Sequence, residues 1–320
     1  WPGSINLPLF DDEERSAIGK TYKREGRQKA ILLGLKIAGP KLLVLKKQLK
    51  NLSERTSETN QKTIKRSFLK LYCWRGGMRS ASFSWLASLL NLKAVVLQGG
   101  YKSYRKWVLE QFEKEWPLRL IGGRTGTGKT DLLISMTKEG IHTIDLEGLA
   151  NHRGSSFGAL GLPLQPTSEH YENQIAEALE IYRKDPSKSI WLEAESSNLG
   201  RCRIPNELFK QMRNAPLLEI DRTKEERIEQ LIKVYSKHDK EALKDATSRI
   251  SRRLGPQRTT QALKAIDNEE WDKACVAMLD YYDRCYDYEL ERSPKRETID
   301  LSGLTPDLAT AKMLTEGLFS

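Results

Sequence analysis

Two short runs in this chain hold the residue types that do chemistry. In the first, Cys73-Trp-Arg-Gly-Gly-Met-Arg79-Ser80, a thiol is followed by two arginines, two glycines and a serine. The thiolate is the nucleophilic form of cysteine, and backbone amides, cationic neighbours and a helix N-terminus all favour it. Gly76 and Gly77 let the loop curl without a Cβ clash, Arg75 and Arg79 add positive charge, and Ser80 is placed to cap a helix or to donate to an anion. Cys73, Arg75 and Arg79 are therefore the expected catalytic residues, within an anion-holding loop of Gly76, Gly77 and Ser80. The competing reading is a cysteine packed at a strand end as a small hydrophobe. The arginines and glycines beside it argue against that.

The second run, Gly123-Arg-Thr-Gly-Thr-Gly-Lys129-Thr130, satisfies G-x-x-x-x-G-K-[ST] at every fixed position. Such a loop turns the amides of Gly123, Thr125, Gly126, Thr127 and Gly128 toward phosphate oxygens. Lys129 would reach the terminal phosphate, and Thr130 would hold Mg2+. Asp145 and Glu147 close one expected strand, and Glu193 and Glu195 another. Asp145 and Glu193 are the expected metal partners of Thr130, with solvated strand-end carboxylates as the alternative. The motif implies a bound polyphosphate and leaves ATP open.

These loops need elements to hold them. Phe68–Tyr72 and Ala94–Leu97 read as short buried strands, and Ser80–Leu92 between them as a helix with Trp85, Leu86, Leu89 and Leu90 on one face. Strand, loop, helix, strand is the βαβ pattern of a parallel sheet. Upstream, Gln28–Leu49 is apolar at Leu42, Leu45 and Leu49 on a helical period, broken at Gly39-Pro40. Further strands are expected at Leu118–Gly122, His142–Leu146, Ser189–Ala194 and Leu217–Ile220, alternating with helices at Lys129–Lys138, Tyr171–Tyr182 and Asn206–Met212. The fold class is α/β. A small βαβ domain over 1–116 precedes a P-loop doubly wound parallel-sheet domain over 117–221, and a mainly helical appendage fills 222–320.

Composition narrows the functions available. The 320 residues are 38% hydrophobic and 30% charged, a globular mixture, with no apolar run long enough to span a bilayer and no signal-peptide pattern. A cytoplasmic location and no membrane partner are expected. Four cysteines without a C-x-x-C pair suggest neither a disulfide framework nor a zinc site. The net charge of +10 is gathered in clusters at Lys20–Lys29, Lys36–Lys50, Lys62–Lys70 and Arg249–Arg258. Several such clusters in one chain favour a nucleic-acid partner over merely solvated helix faces. His152, Arg153, Ser155 and Ser156 form one candidate RNA or substrate contact set, and Arg252 and Arg253 another. Tyr101, Tyr104 and Trp107 beside Lys102, Arg105 and Lys106 could stack on bases, although their helical spacing favours packing.

The Cys73–Arg79 loop, the opening Trp-Pro-Gly-Ser-Ile-Asn-Leu-Pro and the Leu97-Gln-Gly-Gly-Tyr101 segment together resemble the rhodanese family of sulfurtransferases. That likeness implies a rhodanese-like domain over 1–116 and a chalcogen-carrying Cys73. Two departures stand out. The C-x5-R spacing is one residue longer than the usual sulfurtransferase loop and equals that of cysteine phosphatases, so a tetrahedral phosphorus centre would fit. The family's first strand, with its Asp-x-Arg, would lie upstream of Trp1, so the chain reads as an amino-terminal truncation.

A rhodanese-like loop followed by a P-loop resembles the bacterial tRNA 2-selenouridine synthases. The likeness runs through Asp145–Gly158, Gln165-Pro166, Tyr171-Glu-Asn173 and Trp191–Glu195 to about Pro205. It implies a transferase acting on the wobble uridine of the tRNA anticodon. The 2-thiouridine sulfur would be alkylated by a prenyl diphosphate such as geranyl diphosphate, and selenium from selenophosphate would then displace the S-alkyl group. The alternatives are a rhodanese-type sulfurtransferase, a cysteine phosphatase fused to an ATP-using P-loop kinase, and a non-catalytic RNA-binding module. Against the phosphatase, Tyr72 stands where those enzymes usually place His.

Overall fold

The computed structural model describes residues 1–58, 68–290 and 295–319. Residues 62–67 of the Lys62–Lys70 cluster lie outside these. The chain divides into two compact units, Trp1–Trp107 and Val108–Ser320. The division falls a few residues before the boundary at 116 expected from the sequence.

The amino-terminal unit begins with helices α1 (Asp12–Glu25), α2 (Arg27–Ala38) and α3 (Leu42–Glu58). Asp11 and Glu14 form a reciprocal capping box that starts α1, and a 3-10 turn at Gly39–Lys41 separates α2 from α3, as Gly39-Pro40 requires. Strand β1 (Leu69–Leu71) runs parallel to β2 (Ala94–Val96), with Leu69 opposite Ala94 and Leu71 opposite Val96. Helix α4 (Met78–Leu89) connects them, and α5 (Gly100–Glu113) follows. Leu45 and Leu49 of α3 pack with Phe83, Leu86 and Ala87 of α4 in the core. The buried face of α4 differs from the expected one: Trp85 is 56% and Leu89 61% exposed. Phe83, Leu86, Ala87 and Leu90 share the inward face at i, i+3, i+4 and i+7, and Phe83 and Ala87 are the members the sequence reading left out.

In the second unit, five parallel strands lie in the order β4-β5-β3-β8-β9. They are β3 (Leu118–Gly122), β4 (Thr143–Ile144), β5 (Ile190–Glu193), β8 (Leu217–Asp221) and β9 (Arg296–Asp300), with β6 (Asn198–Leu199) and β7 (Cys202–Arg203) forming a separate antiparallel hairpin. The intervening helices are α6 (Lys129–Lys138), α7 (Leu146–Ala150), α8 (Ser168–Tyr182) and α9 (Asn206–Asn214). Strand β5 is buried along its whole length and β8 along four of five residues, as expected of strands covered on both faces.

Beyond Asp221 come α10 (Lys224–Tyr235), α11 (Lys240–Arg249), α12 (Ser251–Leu254), α13 (Pro256–Asp267) and α14 (Trp271–Leu290). Their Leu243, Ile250, Leu254 and Ile266 form an apolar core that Phe157, from the segment between α7 and α8, joins. The chain then returns to the sheet, which the sequence reading did not foresee. Strand β9 pairs with β8 over five residues, and α15 (Pro306–Thr315) packs on α6, where Ser135 Oγ donates to Asp307 at 2.8 Å. Among the described residues no helix is long and apolar enough to cross a membrane.

Candidate functional site

Cys73 follows β1, and its loop leads into α4 with Gly77 at the N-cap. The thiol sulfur lies 3.4 Å from Ser80 Oγ. Burial alone would push the thiol up. The Ser80 hydroxyl and the amides of Ser80, Arg75 and Gly77 more than offset this and bring it down to about 7. Hydrogen bonds thus favour the thiolate. Arg75 and Arg79 are both exposed.

A second loop locks this cradle. Tyr101 N donates to Cys73 O at 2.9 Å and Lys102 N to Trp74 O at 3.0 Å, so the start of α5 is bonded to the thiol loop. Gly100 has φ +64°, and a Cβ there would lie 2.2 Å from Cys73 O and 2.3 Å from Gly76 N. Gly100→Ala is expected to destabilise this unit by about 1–3 kcal/mol and to open the loop. A lower melting temperature with slower alkylation of Cys73 checks it. Ser80→Ala removes one stabilising hydrogen bond, and the pH midpoint for iodoacetamide alkylation of Cys73 should rise from near 7 by about one pH unit.

The expected aromatic group beside this loop packs internally. Tyr104 is buried and stacks on Trp1 at 4.6 Å, while Trp107 stacks on Tyr104 at 5.6 Å. Trp74 stays 53% exposed next to Cys73.

The P-loop lies between β3 and α6. Gly123 has φ +139°, with Ile220 O 2.7 Å from a would-be Cβ; Gly126 has φ +83°, with Arg227 O at 2.6 Å. Gly128 caps α6 in the left-handed region. Lys129 Nζ donates to Gly123 O at 3.1 Å and sits 4.7 Å from the Tyr286 ring centroid. Thr125 O accepts from Arg227 Nε at 2.9 Å, and Thr127 Oγ1 donates to Arg124 O at 2.9 Å. Thr130 Oγ1 donates to Glu193 Oε1 at 2.6 Å and approaches Glu147 Oε2 at 3.3 Å. The cavity over these residues has a volume of about 420 Å3 and is also lined by Arg153, Lys233, Lys237 and Tyr286.

Carboxylates of Glu147, Glu193 and Glu195 each place an oxygen within 4.8 Å of the others. Glu193 is fully buried, and its Oε2 has no partner, as is also true of Glu195 Oε1. Burial first, then mutual repulsion, raises Glu193 well above the carboxylate range, Glu147 to about 8 and Glu195 to about 7. Lys129 pulls the other way on all three. Buried acceptors aimed at one point beside the P-loop threonine suit a hard divalent cation, which would supply the missing positive charge. Asp145, expected in this group, instead caps α7, accepting from Gly148 N at 2.7 Å. Asp145 still lines the P-loop cavity, while the oxygens that converge within 4.8 Å are those of Glu147, Glu193 and Glu195.

Of the expected contact residues, Arg153 lines the P-loop cavity and its guanidinium donates to Leu160 O at 3.0 Å. His152 is held low by burial and its Nδ1 has no partner, while Ser155 Oγ accepts from Phe157 N at 3.2 Å. Ser156 O accepts from Arg249 at 3.2 Å. Arg252 and Arg253 are exposed on α12 and do not line that cavity.

Sequence reasoning missed a clamp over the P-loop. Buried Arg227 of α10 pairs with Asp283 of α14, and Arg124 forms a two-pronged pair with Asp287 at 2.8 and 3.0 Å. Arg222 Nε donates to Thr127 O at 3.0 Å. Arg222 and Arg227 lie about a hundred positions beyond the motif and Asp283 and Asp287 over 150 beyond it, and no local pattern marks them.

Comparison with known proteins bears on the whole chain. The tRNA 2-selenouridine synthase AAA domain family matches residues 116–311. A tRNA 2-selenouridine synthase of Marinobacter nauticus is 33% identical over 91% of this chain and 84% of its own length. The corresponding protein of Hydrogenovibrio crunogenus is 34% identical over 93% and 86%, and that of a Sulfurovum species 35% over 92% and 86%. With both loops inside the matched span, the chain belongs to the tRNA 2-selenouridine synthase family.

Proposed function

We propose that this protein converts the wobble 2-thiouridine of tRNA to 2-selenouridine in two transfers, one at each loop. The observation that carries the reading is the pairing of Lys129 with Thr130 and three convergent buried carboxylates, a set suited to a metal-bound diphosphate. In the first transfer the 2-thio sulfur attacks C1 of a prenyl diphosphate such as geranyl diphosphate. A carbon–sulfur bond forms, the carbon–oxygen bond breaks, diphosphate departs and the N3 proton is lost to water. Lys129 and the P-loop amides stabilise the leaving diphosphate as its charge develops. Mg2+, held by Thr130, Glu147, Glu193 and Glu195, would supply further charge there when bound.

In the second transfer the selenium of selenophosphate attacks C2. The C2–sulfur bond breaks, the prenyl thiol leaves, and water cleaves selenium from phosphorus to give phosphate. The amides of the Cys73 loop hold the selenophosphate anion in the amino-terminal unit, read as rhodanese-like, and the Cys73 thiolate takes up its remaining proton, which frees selenium to attack and is passed to the departing prenyl thiol. The tRNA backbone finds exposed lysines and arginines on α1–α3, including Lys23, Arg27, Lys36, Lys46 and Lys47.

Nucleoside mass spectrometry tests this with 2-thiouridine tRNA, Mg2+, geranyl diphosphate and selenophosphate, each omitted in turn. The expected result is S-geranyl-2-thiouridine without selenophosphate and 2-selenouridine with it. Unchanged tRNA under every condition overturns the reading.

A further inference from the structure

The P-loop cavity is not isolated. A second cavity of about 70 Å3 shares Thr125, Leu231 and Tyr235 with it. Where the first is built from Lys129, Thr130 and carboxylates, the second is walled mostly by carbon, from Phe157, Leu243, Ile266, Trp271, Met278 and Leu279. One wall is a single face of α14. Trp271, Cys275, Met278, Tyr282 and Tyr286 recur at spacings of three and four. Tyr286 meets Lys129 at one end, and at about 1.5 Å per residue Met278 stands roughly 12 Å and Trp271 roughly 22 Å further along the helix axis.

We propose that this apolar cavity is the hydrocarbon subsite of the phosphate-anchored substrate, and that Met278, Cys275 and Trp271 set the chain length it accepts. The assignment rests on the prenyl diphosphate reading above and deepens it. An anion-binding pocket that shares Thr125, Leu231 and Tyr235 with an apolar one fits a ligand with a charged head and a hydrocarbon tail. A nucleobase in the apolar part would leave its ring-edge donors and acceptors largely unpaired, which disfavours a nucleotide there. Size then restricts the tail. A volume of about 70 Å3 has room for a short chain only. With the carbons nearest the diphosphate lying at the Leu231 and Tyr235 mouth, that suits geranyl and excludes the end of a farnesyl chain, which would meet Trp271.

Titration calorimetry of the full chain with Mg2+ tests this, using inorganic diphosphate and the dimethylallyl, geranyl, farnesyl and geranylgeranyl diphosphates. Geranyl diphosphate should bind at least about tenfold tighter than inorganic diphosphate. Met278→Phe and, more mildly, Cys275→Leu fill the cavity and should abolish most of that gain. Inorganic diphosphate binding should be unchanged in both, which also reports that the P-loop unit is folded. Trp271→Ala should move the preference toward farnesyl diphosphate. The assignment is overturned if no tail improves binding to the unaltered protein, or if the gain survives both filling variants. If tail binding behaves as stated while tRNA stays unalkylated, the subsite stands and the proposed reaction falls.

Discussion

Lys129→Ala is expected to slow prenylation of 2-thiouridine tRNA by about 10²–10³-fold, while leaving the conversion of already geranylated tRNA to 2-selenouridine close to its original rate. Lys129 is the P-loop cation best placed to follow the leaving diphosphate. Its present partners, Gly123 O and the Tyr286 ring, are weak enough to be exchanged for phosphate oxygens. Arg124 and Arg227 are poorer candidates, because Asp287 and Asp283 already pair with them. The substitution also removes a charge that holds Glu147 and Glu195 down, so both carboxylates should protonate more readily in the variant. Metal affinity should fall with it. Single-turnover prenylation rates, measured beside turnover of purified geranylated tRNA, separate the two steps. Equal losses in both would show that Lys129 serves the whole reaction and not the diphosphate step.

The parts of this site that were readable from sequence are those where chemistry and backbone coincide in one short segment. Glycines with positive φ, a lysine and a hydroxyl must be contiguous to wrap a phosphate, and Gly123–Thr130 shows them all. The carboxylates were harder. Asp145 and Glu147 are two residues apart at a strand end, and which one turns toward Thr130 depends on α7, whose N-cap claims Asp145. A helix of five residues gives too little periodicity to announce its cap. The clamp from α10 and α14 was invisible because it depends on tertiary packing, which brings Arg227 from about a hundred residues later, and Asp283 from further still, to the P-loop.

The fold followed the same rule. Strands β3, β5 and β8 are apolar runs buried on both faces, and their positions were legible to within a residue or two. Strand β9 was not. Arg296-Glu-Thr-Ile-Asp300 carries one buried residue, Ile299, and falls within the stretch expected to be mainly helical; it becomes a strand because Leu217–Asp221 offers it a ladder, with Arg296 paired to Glu219 at 2.5 Å. The inward face of α4 was misjudged for a related reason. Trp85 is the largest apolar residue there, yet Phe83 with Leu86 and Ala87 aligns with Leu45 and Leu49 of α3 and takes the core.

Cys73→Ser supplies the opposite half of the experiment. Prenylation should continue at nearly its original rate, and geranylated tRNA should accumulate because selenium no longer replaces the alkyl sulfur. The reason is electrostatic. With its thiol brought to about 7, Cys73 is about half thiolate at neutral pH, whereas a serine hydroxyl of similar size stays protonated there and cannot take up the selenophosphate proton. The loop amides, Gly76 and the bond from Tyr101 N to residue 73 O do not depend on sulfur, so the cradle itself should survive. Loss of the selenium step should therefore be large, about 10²-fold or more, without loss of stability. The pH dependence gives an independent check. The selenium step of the unaltered protein should rise through pH 7 as the thiolate forms and then level off, and Ser80→Ala should carry that rise to higher pH. A Cys73→Ser variant that still forms 2-selenouridine at the original rate would reduce Cys73 to a packing residue and leave the selenophosphate site to be found elsewhere.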